Sequence, residues 1–496
     1  MTVGFKNIPA NIRVPLFYAE VDNSQANTGA TTDRALIVGQ MLSAGTATAG
    51  VPVLSMGVAD AKSAFGQGSI AALMVAAYRA ADNFGELWVL PLADDPDAVA
   101  AAGSIDFTAV PPASGTLSLY IAGQLLSLAV VPTQTTAEIA TSLAAAVNAM
   151  GDLPVTAAID ETTVSQVDLT AKNKGLGGND IDLRVNYQGA AGGEVTPAGL
   201  ALTITAMSGG TTNPSLATPF ADLGSQAYDY IALAYNDTTS LNAVQSLLDD
   251  QSGRWSWDIQ VYGHCFAALR GTAAALVTAG NARNDQHCTV MGFYDSPSPN
   301  WIWAADLTAT AAVSLRADPA LPLQTLALST ALAPPLASRF QLTEQNTLLW
   351  DGIATFTVAD DGTVAIQNLI TTYQLDPFGD PDDSYLEVNT MYTLMAMLRA
   401  LSSVVTSKYA RVKLAADGTR FAAGSNIVTP STIKADLIAE YAGLVTQGLA
   451  QNATAFAQGL IVEQNATNPN RVDVLWPGTL IDQLRIFAVL AQFRLI

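Results

Sequence analysis

The chain contains two histidines, His264 and His287, and they limit the acid–base chemistry that it can perform. A protease or esterase triad needs a histidine between a nucleophile and an orienting carboxylate. Neither histidine is followed by the glycine-rich sequence that is expected around a catalytic nucleophile, and no nucleophile turn is recognisable in the sequence. The sequence therefore predicts no catalytic residues and a protein that is not an enzyme.

Each histidine is followed by a cysteine, Cys265 and Cys288. Sets of His and Cys bind zinc. Neighbouring residues of a strand point to opposite faces, so neither doublet can direct both side chains to one metal. We expect buried thiols and hydrogen-bonded histidines at strand ends, and no metal site.

A glycine motif and an acidic cluster have the composition of ligand sites but lack the context. Residues 66–71 match G-x-G-x-x-A and open a helix, yet no strand runs directly into Gly66, as a dinucleotide site requires. Asp376, Asp380, Asp382 and Asp383 do not have the spacing of a helix–loop–helix calcium site. We interpret them as a tight helix entry and a solvated interdomain link, so the sequence predicts no cofactor.

Charge is the most distinctive bulk property of the chain. Its 43 acidic and 22 basic residues give a net charge of −21, which phosphate backbones and anionic membranes repel. Direct nucleic-acid binding is therefore not expected. Neither is membrane insertion, because no apolar run reaches the roughly 18 residues of a membrane span. Against this background five bases form a local positive patch with one acid, Asp417, among them: Arg399, Lys408, Arg411, Lys413 and Arg420.

Hydrophobic periodicity places these residues on a layered α/β framework. Predicted strands at 35–39, 87–90, 228–235, 257–263 and 288–293 alternate with helices, which favours a largely parallel sheet. Between 98 and 213 the pattern changes to alternating strands, with one helix announced by the capping box Thr135–Glu138. The predicted domains are a core at 31–97 plus 214–375, an inserted β-rich domain at 98–213, and an α+β C-terminal domain at 376–496.

Both ends of the chain are apolar and predicted to be extended. Pro9 and Pro15 favour extended geometry in an N-terminal arm at 1–30. A terminal strand is predicted at 484–496, within the C-terminal domain and covered on both faces. Such ends need a sheet edge, which another subunit can supply. The candidate contact residues are Ile12, Val14, Leu16, Phe17, Tyr18, Ile486, Phe487, Val489, Leu490 and Phe493.

Three segments resemble the tail sheath proteins of Mu-like contractile phages. They are NIPANIRVPLFYAEVDNS at 7–24, FGQGS at 65–69 and NPNRVDVLWPGTLIDQLRIFAVLAQFRL at 468–495. The resemblance implies a subtilisin-like core and sixfold rings of subunits stacked around a tail tube. It also implies terminal arms that add strands to the C-terminal domains of neighbours.

The implied function is contraction that drives the tube through the host cell envelope. The implied partners are further copies of the chain, the tail tube protein, and the baseplate and tail terminator proteins. The location is the virion tail, assembled in the host cytoplasm, and the basic patch is a candidate tube-facing surface. Two alternatives remain: the sheath of a headless device such as an R-type bacteriocin, and, distantly, an α/β hydrolase.

Overall fold

The computed structural model of this 496-residue chain describes residues 33–422 and 424–495. The predicted N-terminal arm at 1–30, with Ile12, Val14, Leu16, Phe17 and Tyr18, lies outside the described residues.

The first described segment supplies half of a central sheet. Its elements are β1 (Ala35–Gln40), β2 (Val53–Leu54), α1 (Val58–Phe65), α2 (Ile70–Ala81) and β3 (Leu87–Leu92). Ser69 is the N-cap of helix α2, and its hydroxyl accepts a hydrogen bond from the Ala72 amide at 3.1 Å. Eight of the twelve residues of α2 are buried, because its Ala-rich sequence lets it pack closely on β1.

Residues 98–213 form two smaller antiparallel sheets. Their elements are β4 (Ala102–Ala109), β5 (Gly115–Ile121), β6 (Gln124–Val130), α3 (Thr136–Ala149), β7 (Val155–Ile159), β8 (Gln166–Ala171), β9 (Leu183–Val185) and β10 (Ala201–Ser208). One sheet has the order β10-β4-β8-β7 and the other β6-β5-β9. The capping box is confirmed: Thr135 Oγ1 accepts from the Glu138 amide, and Glu138 Oε2 accepts from the Thr135 amide.

The following segment completes the central sheet. Its elements are α4 (Ala217–Ala221), β11 (Tyr230–Leu233), α5 (Thr238–Leu248), β12 (His264–Arg270), α6 (Ala273–Asn281), β13 (Cys288–Phe293), α7 (Asn300–Ala317), α8 (Leu342–Trp350), β14 (Thr355–Val358) and β15 (Val364–Asn368). The six strands have the order β13-β12-β11-β1-β3-β2, and all neighbours are parallel except β2 with β3. The predicted largely parallel sheet is confirmed.

The C-terminal region is built from helices and short strand pairs. Its elements are α9 (Val388–Tyr409), β16 (Lys413–Leu414), β17 (Ile427–Val428), α10 (Pro430–Thr446), β18 (Ala450–Gln451), α11 (Ala453–Gly459), β19 (Ile461–Gln464), β20 (Val472–Leu475) and β21 (Thr479–Leu480). Strand β18 pairs with β21 and β19 pairs with β20. A cluster of buried side chains around Tyr441 and Phe456 forms a second core, separate from that of the central sheet.

One predicted strand is wrong in the described chain. Residues 257–263 form a turn and irregular chain, where Gln260 has a positive φ of 53° and Trp257 is exposed, and the strand begins only at His264. Residues 484–495 form no strand within the described chain. An extended segment becomes a strand only beside a hydrogen-bonding partner, so the strand at 484–496 on the sheet edge of another subunit stays a prediction. Among the described helices, none is long and apolar enough to cross a membrane.

Candidate functional site

Both histidines lie at the amino edge of the central sheet. His264 begins β12 and is fully buried; its Nε2 lies 2.8 Å from Thr289 Oγ1. Burial, with a smaller effect of His287, holds the pKa of His264 well below its usual value. His287 precedes β13, and its Nε2 lies 2.8 Å from Asp250 Oδ1. Since α/β folds place ligand sites at the carboxyl ends of their parallel strands, these rings lie at the opposite edge from such a site.

Cys265 and Cys288 are register partners on β12 and β13, and both are buried free thiols. Across the described residues no group of three or more His, Cys, Asp or Glu side chains could hold a metal ion. The alternation of side chains along each strand accounts for this, since it separates each histidine from its neighbouring cysteine.

The carboxyl edge of the sheet is occupied by the chain itself. Asp94, which follows β3, accepts hydrogen bonds from Gln40 Nε2 at 2.6 Å and from Asn173 Nδ2 at 3.1 Å. Its second oxygen accepts from the Lys174 amide at 3.1 Å. Asp94 therefore fastens residues 173–174, which follow β8, onto the place where related α/β folds leave room for a ligand.

The glycine motif is closed in the same way. A Cβ at Gly68 would lie 2.5 Å from the Leu153 carbonyl oxygen and 2.7 Å from that of Gly151. The Ile70 amide, in the first turn of α2, donates to Asn173 Oδ1 at 3.0 Å. The helix entry is thus packed by protein atoms where a pyrophosphate would have to lie.

The acidic link carries internal hydrogen bonds. Asp376 Oδ1 accepts from the amides of Phe378 at 2.8 Å and Asp380 at 2.9 Å. Asp382 Oδ1 accepts from the Ser384 amide at 3.0 Å, and its Oδ2 accepts from the Tyr373 hydroxyl at 2.6 Å. Two of the four carboxylates therefore stabilise turns, as aspartates commonly do.

The C-terminal segment exposes apolar side chains to water. Every residue from 486 to 495 is exposed. Five of its large side chains are the predicted arm contacts, and their exposures are Ile486 84%, Phe487 81%, Val489 69%, Leu490 87% and Phe493 84%. A contiguous apolar segment of this kind marks an interaction site, because its exposure to water is unfavourable.

Arg485 fixes the point at which this segment leaves the body. Its Nη2 lies 2.9 Å from Glu387 Oε2 and donates to Asn389 Oδ1 at 2.8 Å and to Gln483 Oε1 at 2.6 Å. Burial lowers the pKa of Arg485 and raises that of Glu387, while each charge partly offsets the shift of the other. The ion pair is a positioning contact at the start of α9.

Among the described residues, a hairpin of the C-terminal region has unpaired outer edges. Strands β19 and β20 pair with each other from Ile461↔Leu475 to Gln464↔Val472. Ile461 is 50% exposed and Leu475 59% exposed. Behind them, Phe456 stacks on Tyr441 with ring centroids 3.7 Å apart. A supported two-stranded sheet with apolar edge residues can accept a further strand.

The five predicted patch residues do not form one surface. Arg399 is mostly buried and forms ion pairs with Asp229 and, at 3.3 Å, with Asp33, so it belongs to the interior junction. Lys408 is half-exposed and pairs with Asp436 at 3.2 Å. Arg411, Lys413 and Arg420 are exposed in and around β16. The patch therefore reduces to these three bases with Lys408 at its border.

Comparisons with known proteins match two parts of the chain to family models. Residues 209–372 match the family model "Phage tail sheath protein central domain", and residues 380–494 match "Phage tail sheath C-terminal domain". The chain is 40% identical over 497 residues to the Mu-like prophage FluMu tail sheath protein of Haemophilus influenzae, with all of both chains covered. The chain belongs to the phage tail sheath family.

Two solved structures of sheath tail proteins are also similar to the chain. The one from Desulfitobacterium hafniense has 13% identity and a TM-score of 0.48, covering 95% of this chain and 97% of its own. That from Listeria innocua has 12% identity and a TM-score of 0.46, covering 92% and 95%. The family assignment rests on the full-length relative, and it makes this chain a structural tail sheath protein of a contractile phage or injection system.

Sequence reasoning missed the anchor of the terminal segment. Glu387 and Asn389 lie almost 100 residues before Arg485, so no local pattern joins them. The available signal was Arg485 itself, the charge at the start of the apolar run 486–490.

Proposed function

We propose that this sheath protein polymerises as sixfold rings around a tail tube and contracts to drive the tube through the host cell envelope. The observation that carries this proposal is the exposed apolar segment 486–495, in a chain whose family forms tail sheaths. In this proposal assembly takes place in the host cytoplasm, and the tube, baseplate and tail terminator proteins are its partners. It requires no cofactor and no nucleic acid.

The terminal segments are the proposed joints between subunits. Segment 486–495 of one copy would add a strand to the β19–β20 hairpin of a neighbour, burying Phe487 and Leu490. Main-chain hydrogen bonds would supply affinity, and the alternate side chains would supply specificity. Such head-to-tail contacts do not close on themselves, so they build a filament. The N-terminal residues Ile12–Tyr18 would serve as a second joint.

Deleting residues 486–496 tests the joint while retaining the Arg485 anchor. We expect a folded monomer with unchanged circular dichroism that forms no hollow cylinders, whereas the full chain should form cylinders that electron microscopy can detect. The matched control replaces Phe84, a 98% exposed side chain on the body, with serine and retains polymerisation. Normal cylinders from the deleted chain would overturn the joint.

The exposed bases Arg411, Lys413 and Arg420 are the proposed tube-facing surface, since charge complementarity guides assembly. The variant Arg411→Glu/Lys413→Glu should lose assembly on the tube at low salt, whereas Lys174→Glu, an exposed base at the carboxyl edge, should retain it. Equal assembly of both variants on the tube would exclude this surface.

The alternative of a headless injection device uses the same subunit, and the presence of capsid and terminase genes beside its gene would decide against it. An α/β hydrolase has less support. Its histidines would have to act from the amino edge of the sheet, and Thr289, whose hydroxyl lies beside His264 there, is fully buried. Turnover of an ester or peptide by the purified protein would favour it.

A further inference from the structure

Helix α9 makes contacts at both ends of the described chain. Its N-cap is Glu387, and Asn389, Tyr392 and Arg399 follow along the helix. Glu387 and Asn389 hold Arg485, the last anchored residue before the exposed segment 486–495. Arg399 pairs with Asp33, to which residues 1–32, outside the described residues, are joined. One helix thus contacts the two points, Arg485 and Asp33, at which the terminal segments join the rest of the chain, and these points are called the C-terminal and the N-terminal exit.

The C-terminal exit is held by three independent groups. Besides Glu387 and Asn389, the side chain of Gln324 donates to the Leu484 carbonyl oxygen at 3.4 Å. Asn389 is in turn fixed to the body, because its Nδ2 donates to the carbonyl oxygens of Pro319 at 3.0 Å and Leu321 at 2.8 Å. The amide that positions Arg485 is therefore itself immobilised.

The N-terminal exit depends on Asp229 as a shared acceptor. Asp229 Oδ2 accepts from the Arg34 amide at 3.1 Å, while its Oδ1 accepts from Arg399. The hydroxyl of Tyr392, about two turns of the helix closer to the other exit, donates to the Asp229 carbonyl oxygen at 2.8 Å. The ring of Tyr392 also stacks on Tyr230 with centroids 5.2 Å apart. The guanidinium of Arg399 thus links α9 to both Asp33 and β11.

The separation of the two exits follows from the helix geometry. Glu387 and Arg399 are twelve positions apart, which at 1.5 Å per residue corresponds to about 18 Å along the axis. A helix does not stretch or bend readily over three turns, and this one is fixed to the body between the two points by Tyr392.

We propose that α9 is a fixed spacer between the two terminal segments, with Arg399 and Arg485 as the positioning residues of the two exits. The spacer itself is a property of the single subunit. Its consequence for assembly rests on the proposed function: the helix would set the distance between the two joints that each subunit makes with its neighbours.

The first test measures the C-terminal exit in the monomer. Spin labels at Phe84→Cys and Phe487→Cys report the distance from the body to the segment, and the native cysteines are fully buried. Arg485→Met should at least double the width of this distance distribution, whereas Arg471→Met should not change it. Arg471 is a matched control, because its ion-pair partner is Asp473 of the hairpin.

The second test measures the N-terminal exit by hydrogen exchange of the Arg34 amide. Arg399→Met should accelerate this exchange at least about tenfold and leave the distance distribution at 487 unchanged. If this variant does not fold, Arg399→Lys keeps the charge but lacks the fork that reaches two carboxylates, and it should accelerate the same amide. Arg485→Met should not affect this amide.

An unchanged distribution in Arg485→Met, or an unchanged Arg34 amide in every folded Arg399 variant, would overturn the spacer. Electron microscopy of the wild-type chain tests the proposed function separately. If the variants loosen both exits as expected but the wild-type chain forms no cylinders, the spacer is supported and its proposed role in assembly fails.

Discussion

The central sheet and the C-terminal segment contain similar apolar side chains in opposite environments. Strands β1 and β13 are buried at every position, whereas residues 486–495 are exposed at every position. β-branched, aromatic and aliphatic residues occur in both regions. Composition therefore does not distinguish a core strand from an exposed apolar segment; the presence of a partner within the same chain does.

This difference separates the folding of one subunit from the contacts that are proposed between subunits. The body buries its parallel strands under α2 and α7 and so completes its own core. The terminal segment keeps its apolar area available, and its burial can contribute to contacts between copies, at roughly 25 cal/mol per Å². If the segment is the joint proposed above, folding and assembly depend on different residues and can be altered separately.

The largest expected effect comes from opening the buried core. Trp303 is fully buried on α7, stacks on Phe293 with centroids 4.9 Å apart, and donates to Ser296 Oγ at 3.1 Å. Trp303→Ala should lower the free energy of unfolding by about 3–5 kcal/mol, because it leaves a cavity and removes a hydrogen bond. Urea denaturation of the monomer measures the change.

The matched control for this variant is Trp350→Ala on α8, where the side chain is 77% exposed. It should change the free energy of unfolding by no more than about 0.5 kcal/mol. Equal losses in the two variants would contradict the division between a buried core and an exposed surface.

A smaller effect is expected from acidification, through His264. Burial depresses its pKa well below the usual 6.5, so the folded chain holds the ring neutral where the unfolded chain protonates it. The unfolded state then binds the extra proton, and stability falls as the pH drops below 6.5. The loss from this group approaches about 1.4 kcal/mol per pH unit until the folded pKa is reached.

Comparison with His264→Gln isolates this contribution, since other groups titrate alike in both proteins. The free energy of unfolding, measured between pH 6.5 and 5, should fall more steeply in the wild type than in the variant. Parallel curves for the two proteins would show that His264 is protonated equally in the folded and unfolded chains.

Local signals in the sequence predicted local structure well. The strand at 288–293 has its predicted bounds, because a β-branched and apolar run between polar ends decides them. The capping box at Thr135 and Glu138 is likewise confirmed, because both of its hydrogen bonds lie within four residues. Such features depend on neighbours in the sequence, and no distant contact had to be known.

The errors involve partners that local patterns cannot show. The apolar alternation at 257–263 forms no strand, and the strand register is set at His264 by its pairing with Tyr230. The predicted basic patch groups Arg399 with its sequence neighbours, although Asp229, 170 residues away, decides its position. The strand at 484–496, which needs a sheet edge on another subunit, stays a prediction, as do the proposed tube-facing bases.

The smallest expected effect on folding comes from Phe487, in the exposed C-terminal segment. Phe487 is 81% exposed, so Phe487→Ser should change the free energy of unfolding of the monomer by no more than about 0.5 kcal/mol. If this side chain is buried in a joint between copies, the same variant should reduce the fraction of protein that sediments as polymer. A loss of several kcal/mol in the monomer would instead mean that Phe487 packs on its own chain. The segment would then belong with the central sheet as part of the folded core, and its role as a joint would fail.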